Sequence, residues 1–321
     1  MDYQLEKYLK ILSKLRQAPT KYGKAPHKPI LLLAIISMFD RGKLKSNIIY
    51  ITPELVAEFK QLWTAFDIKG FNSLIAQPLF HMKSEGFWKL IPNFGFEKWL
   101  SYTKQCNSIN ILTKAVNRIE IDNELAELFV NAESRNIIKR QISIKYFTEN
   151  ETVDFKYNLL DKIGESLVAE TPADYRQKIE ELEEKLSTDQ LEEELFIRSG
   201  AFRKEILKIY NSTCCISALK IGTVENISMV DACHIVSFSD SHDDTILNGI
   251  SLCPNLHRAF DRGLITIDDS YRVCVSDKLT EIQNNPYSIH QFNRKQLILP
   301  EKRIYYPGIT NFRVHRQKFE H

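Results

Sequence analysis

The chain has almost no net charge, no CxxC pair, no internal repeat and no apolar run of membrane-spanning length. Forty-three Lys and Arg residues stand against 41 Asp and Glu, a formal net charge of +2. This excludes a uniformly basic polyanion binder but leaves room for local basic patches. The longest apolar run covers ten residues, 30–39, and contains Ser37. A spanning helix needs about 20. The first residues (Met1, Asp2, Tyr3, Gln4, Leu5, Glu6) have no basic stretch followed by a hydrophobic one, so no secretory signal is expected. The six cysteines (Cys106, Cys214, Cys215, Cys233, Cys253, Cys274) show no disulfide-scaffold density. Reduced thiols in a cytoplasmic protein are expected, and a zinc ribbon is disfavoured.

What is present is the composition of a globular protein, 43% hydrophobic and 26% charged over 321 residues, enough for about two or three domains with real cores. The charge is unevenly placed. Residues 1–45 carry ten Lys/Arg against Asp2, Glu6 and Asp40, and the last 28 carry seven against Glu301 and Glu320. Between them, 174–196 carries nine acidic residues against Arg176, Lys178 and Lys185. Two surfaces that meet polyanions, joined by a solvated connector, account for this pattern; ordinary surface charge also does.

Helical spacing places Leu5, Tyr8, Leu9, Leu12 and Leu15 on one face. After a basic loop (Lys21, Lys24, His27, Lys28), Pro29 reads as an early helical residue and 30–40 as a nearly buried helix closed by Gly42. Another helix is expected from Thr52-Pro53 to residue 64. Residues 77–88 read as a hairpin or turn between strands with Gly86 in the turn, and helices return at 123–132 and 134–147. From 172 to 195 the pattern is a polar helical connector, with Ile179, Leu182 and Leu186 as a short seam and Ser187-Thr188-Asp189 capping a second helix. Packing against one domain is favoured over a dimer zipper.

The chemistry concentrates in 198–275. A helix holds Phe202, Ile206, Leu207 and Tyr210; then come a strand-like segment 227–236 with Asp231, Cys233 and His234, a polar loop, Asn248-Gly249-Ile250-Ser251-Leu252-Cys253, and a short helix with His257 and Asp261. His257 and Asp261, four apart, share one helical face and suit one metal ion. His234 closes an apolar strand beside a loop, where a neutral imidazole serves as a general base near pH 7. Asn248 has the chemistry to orient an imidazole by hydrogen bonding. Cys233 alternates away from His234, towards the core, with zinc ligation as the alternative. Asp231 is also expected to face away from His234. Asp261 is the preferred second ligand, bracing of the turn at Arg262-Gly263 being its other reading. His242 reads as a solvated loop residue, and Cys214, Cys215 and Cys253 as buried small hydrophobes.

Asp231-Ala-Cys-His234-Ile-Val, Asn248-Gly-Ile-Ser-Leu-Cys and His257-Arg258-Ala-Phe-Asp261-Arg-Gly-Leu-Ile together resemble the HNH endonuclease motif, with an upstream helix that includes Phe202-Arg203-Lys204. The likeness covers about 198–321. It implies a ββα-metal site that cuts DNA: His234 deprotonates the attacking water, Asn248 holds its ring, and His257 with a carboxylate, Asp261 or Asp231, binds one divalent cation. Mg²⁺ or Mn²⁺ is expected, with Zn²⁺ or Ni²⁺ as alternatives. Arg203 and Arg258 would meet DNA. Many relatives carry Asp or His where Cys233 stands.

A second likeness lies near the N-terminus. His27-Lys28-Pro29-Ile30-Leu31-Leu32-Leu33 and the stretch from Gln77-Pro78 to Trp88 are similar to the sulfur-binding domain of phosphorothioate-dependent restriction endonucleases. That likeness implies backbone contacts from Lys24, His27 and Lys28 and an apolar pocket that includes Pro78 and adjoins His81. An aromatic usually precedes the proline, where Gln77 stands, and an Arg often stands at His81. Phe80 and Trp88 read as core. A sulfur-bearing phosphate is softer and less hydrated than an ordinary one, so an apolar pocket rimmed by cations would prefer it.

The expected architecture is α+β: an N-terminal mixed helical and small-sheet DNA-recognition domain (1–150), a helical connector (151–197) and a C-terminal ββα-metal HNH domain (198–321). The expected partner is double-stranded DNA, with a homodimer and no membrane. The expected role is restriction of foreign or modified DNA. The alternatives are a defence effector whose N-terminal part senses a protein or small ligand, and an inactive HNH fold that only binds DNA.

Overall fold

A computed structural model describes residues 3–147, 158–222, 228–282 and 285–319. The chain is mixed α and β, with many helices and small sheets, and forms two compact units: Met1–Asp161 with Lys185–Ile197, and Lys162–Glu184 with Arg198–His321. The segment 151–197 is therefore divided between the units, and the boundary expected at 150/151 lies outside the described residues. Among the described residues no helix is long and apolar enough to cross a membrane.

The first unit is built around the helix His27–Asp40, which buries eleven of its fourteen residues, Ile30 to Ile36 among them. Each fully buried large aliphatic side chain there contributes about 1.5–3 kcal/mol. Its polar interruption, Ser37, donates to Glu58 Oε1 at 2.6 Å, and Glu58 pairs with Arg41 at 3.1 Å. The helix Pro53–Ala65 packs alongside. It starts where expected, with Thr52 Oγ1 accepting from Leu55 N at 3.3 Å. A three-stranded antiparallel sheet has Val116–Ile121 in the centre, Ile48–Ile49 on one side and Trp88–Pro92 on the other. The helices Asn123–Val130 and Ala132–Tyr146 follow.

Residues 77–88 are not a hairpin. The helix Ala76–His81 runs into a 3-10 turn, Met82–Glu85, before the strand at Trp88. Gly86 does make the turn: its φ of 83° is costly for any residue with a Cβ. Phe80 and Trp88 are fully buried, as expected of core residues.

In the second unit the helix Pro172–Lys185 buries Tyr175 and Ile179. The helix Thr188–Ile209 begins at a reciprocal cap: Ser187 Oγ accepts from Gln190 N, and Gln190 Oε1 accepts from Ser187 N. Its last residues, from Arg198, belong to this unit. The strands Asp231–His234 and Gly249–Leu252 pair antiparallel, with His234 opposite Gly249 and Cys233 opposite Ile250. The helix Pro254–Asp261 follows directly, completing a ββα unit. Gly249 is required by packing, because a Cβ there would lie 2.3 Å from Ile206 Cδ1 and 2.8 Å from the Phe202 ring. The strands Ile265–Ile267 and Val273–Val275 and the helix Ile309–Phe319 complete the unit.

Candidate active site

The ββα unit places its polar residues around a cavity of about 500 Å³, lined by His234, His257, Asp261, Arg203, Phe238 and Lys318 among others. Strand alternation puts Cys233 in the core and leaves His234 half-buried at the rim.

The His234 ring is held on two sides. It stacks on Phe202, with centroids 4.1 Å apart and planes 9° from parallel. Its Nε2 lies 2.7 Å from Asp244 Oδ1, and Asp244 Oδ2 accepts from the Tyr175 hydroxyl at 3.0 Å. Asp244 and Tyr175 are both fully buried, and burial beside Asp244 pushes the Tyr175 hydroxyl far up, so it stays a donor. An ionised carboxylate only accepts, so it selects the tautomer with hydrogen on Nε2. Nδ1 then carries the lone pair.

Asn248 does not hold this ring. Its Oδ1 accepts from Val236 N at 2.9 Å, and its Nδ2 donates to the carbonyls of Val236 and Asp243, both at 2.9 Å. The buried amide closes the loop 236–248 on itself, and that closure sets Asp244 beneath His234. The side chain that bonds the His234 ring is Asp244, not Asn248.

On the helix Pro254–Asp261, one turn separates His257 Nε2 from Asp261 Oδ2, 3.5 Å apart. The other ring nitrogen, Nδ1, lies 3.2 Å from Asp231 Oδ2. Asp231, three residues before His234 on the strand, reaches His257 on the side of the ring opposite the candidate ligand atom. A carboxylate behind a histidine fixes the ring and raises its basicity as a ligand. Cys233 Sγ, His257 and Asp261 form the one group of three or more His, Cys, Asp or Glu side chains among the described residues whose donor atoms all lie within 4.8 Å of one another. Their sulfur, nitrogen and oxygen donors suit a divalent transition metal. Without one, burial pushes the Cys233 thiol well up.

Arg203 is exposed at the cavity, whereas Arg258 is exposed elsewhere and is not in its lining. His242 is exposed. Cys214, Cys215 and Cys253 are buried, as expected. The Cys253 thiol bonds Cys214 Sγ, and Ser217 N donates to the same sulfur at 3.4 Å, which lowers the Cys214 thiol and raises that of Cys253.

In the first unit, a second cavity of about 390 Å³ is lined by Arg16, His27, Lys28, Pro78, His81 and Ser84, with Gln77 beside them. Of the likeness-based residues, His27, Lys28, Pro78 and His81 converge here, but their charges are not as expected. Lys28 is buried and ion-paired with Glu85. His27 packs on Trp63 with centroids 4.7 Å apart and bonds Asn72 O at 2.9 Å; burial lowers its pKa. Burial, then Lys28 and Lys83, lower that of His81. Both rings are mainly neutral at pH 7. Lys24 stands exposed on the short strand Gly23–Lys24, outside the lining.

No curated protein matches the chain. Among solved structures it is similar to a modification-dependent TagI restriction endonuclease, at 20% identity over 36% of each chain with a TM-score of 0.27. It thus spans about a third of that protein. It is also similar to the sulfur-binding domain of SprMcrA complexed with phosphorothioated DNA (16% identity, 47% of this chain and 88% of that one, TM-score 0.35). A third similarity is to the Type IV phosphorothioation-dependent restriction endonuclease ScoMcrA (9% identity, 81% and 94%, TM-score 0.32). A family profile described as HNH endonuclease matches residues 214–268. Those residues contain both strands, the loop with Asp244 and the helix with His257 and Asp261, so the match to the HNH endonuclease profile falls on the candidate site itself.

Proposed function

We propose that this chain is a metal-dependent endonuclease of double-stranded DNA that restricts foreign or modified DNA. One observation carries the reading: a base imidazole with its tautomer set by Asp244 lines the same cavity as the His257–Asp261 pair, within the segment that matches the HNH profile.

His234 Nδ1 takes a proton from the water that attacks phosphorus, and Asp244 stabilises the imidazolium that forms. His257 Nε2 and the Asp261 carboxylate are the residues that would hold a divalent cation, with Asp231 accepting from His257 Nδ1 to keep the ring in place. When bound, the cation supplies Lewis-acid stabilisation of charge on the scissile phosphate and the leaving 3′ oxygen. Arg203 and Lys318, lining the same cavity, face the phosphate backbone.

The first unit selects the target. Its cavity combines the apolar Pro78 with Arg16 and two uncharged imidazoles, a setting suited to a phosphorothioate, which is softer and less hydrated than phosphate. One such active site cuts one strand, so double-strand cleavage needs two protomers or two successive events, and a homodimer is the expected assembly.

The test is plasmid cleavage with Mg²⁺, Mn²⁺, Zn²⁺ or Ni²⁺, on matched phosphorothioate-containing and plain DNA, comparing the native chain with His234→Ala. The native chain should nick, and the variant should lose at least about 100-fold in rate. Equal rates would remove His234 from the mechanism, and equal cleavage of the two plasmids would remove the sulfur preference.

A further inference from the structure

We propose that Cys233 is a thiolate ligand of the metal site, beside His257 and Asp261, and that the site takes a borderline transition metal of the zinc, cobalt or nickel class rather than Mg²⁺. This deepens the nuclease reading and rests on it.

Strand alternation alone assigns Cys233 to the core, and it is fully buried. The helix Pro254–Asp261, however, packs on the strand Asp231–His234, so the core-facing sulfur also lies beneath the helix residues that face the cavity. Its Sγ is 4.0 Å from Asp261 Oδ1, and the donor atoms of Cys233, His257 and Asp261 lie within 4.8 Å of one another. A shared ion needs only small side-chain rotations to draw these atoms to bonding distance. Among the described residues the sulfur also lies 3.3 Å from the His234 carbonyl.

The donor set decides the class of metal. Magnesium requires oxygen ligands in near-octahedral geometry and loses water reluctantly. One thiolate, one imidazole and one carboxylate match a tetrahedral ion with three protein ligands. The sulfur is sealed from solvent, whereas His257 and Asp261 line the open cavity. A fourth ligand, a phosphate oxygen or water, would therefore come from the cavity that His234 also lines. The carboxylate behind His257, Asp231, completes the arrangement found around zinc-class ligands.

Cobalt(II) is the probe, because a cobalt–thiolate bond gives a near-ultraviolet charge-transfer absorption that nitrogen and oxygen ligands do not. The full-length chain, freed of metal by chelation, is titrated with Co²⁺. The expected result is a sulfur band that saturates at one equivalent, disappears in Cys233→Ser and persists in Cys214→Ser. Zn²⁺ should displace the cobalt and excess Mg²⁺ should not. Affinity in Cys233→Ser should fall by more than the roughly 10–100-fold typical of an outer-shell partner. The native chain decides the matter even if a variant fails to fold: failure to bind cobalt, or bound cobalt without the band, overturns the proposal. So does a band that survives Cys233→Ser, or displacement by Mg²⁺. Plasmid nicking separates the two readings. Nicking without the sulfur band removes the thiolate and leaves the nuclease, and a sulfur band on a chain that nicks nothing does the reverse.

Discussion

Two hydrogen bonds in series fix the candidate base: the Tyr175 hydroxyl donates to Asp244, and Asp244 holds His234 Nε2. Asp244→Asn keeps the shape but can present an amide N–H to the ring and favour the wrong tautomer. Its nicking rate should fall by at least about 10–100-fold, with the unfolding midpoint little changed. Tyr175→Phe removes one donor to a buried carboxylate, a loss of about 1 kcal/mol or some fivefold in rate. A purely structural role would lower the midpoint in both variants and leave the rate per folded molecule unchanged. The sequence displayed His234, Asn248 and His257 because their spacing lies within one short stretch. It did not display Asp244, which is one of several Ser, Asp and His residues in a loop with no periodicity. Tyr175 was further out of sight, since its contact spans 69 residues. Asn248 was found, but its partners are backbone groups of the loop, which residue type alone does not reveal.

Elements were legible where hydrophobic periodicity was long and their caps were local. The helices Pro53–Ala65 and Thr188–Ile209 begin at Thr52 and Ser187, both read from neighbouring residues. The helix Ala76–His81 stands where the sequence pattern suggests a hairpin, for two reasons. Its apolar run is too short to separate helix from strand. Its cap is also remote: Glu193 Oε1 accepts from Ile75 N at 2.8 Å and Ala76 N at 3.3 Å, from more than a hundred residues away. Glu193 has no exposed surface. Burial pushes it up from 4.5 to about 7, against the opposing pull of Lys60 and the two amides. A carboxyl whose pKa is raised by folding binds more protons in the native state. Its contribution is therefore full below pH 4.5 and is lost as pH rises through about 7. Denaturant midpoints should fall between pH 4.5 and 8, by up to about 3 kcal/mol in stability. Glu193→Gln, fixed in the neutral form, should flatten that slope. An equally steep slope in the variant would place the titration elsewhere.

At the scale of the whole molecule, the net charge of +2 is a cancellation between basic ends and an acidic middle, and structure changes which basic residues count. In the first unit Arg16, Lys21 and Lys24 are exposed, while Lys28 is buried against Glu85. Only a cation that meets phosphate releases counterions, with a salt slope of about −0.9 per phosphate on duplex DNA. Lys24→Ala should therefore make the plot of log affinity against log salt shallower by about one, measured by fluorescence anisotropy of a labelled duplex. Lys28→Ala should leave that slope unchanged. It would instead strand Glu85, whose side chain is only 6% exposed, and destabilise the fold by about 3–5 kcal/mol. If Lys28→Ala shifts the salt slope as Lys24→Ala does, the ion pair opens on DNA and Lys28 joins the phosphate contacts. If neither substitution moves the slope, duplex DNA does not bind at this edge of the first unit.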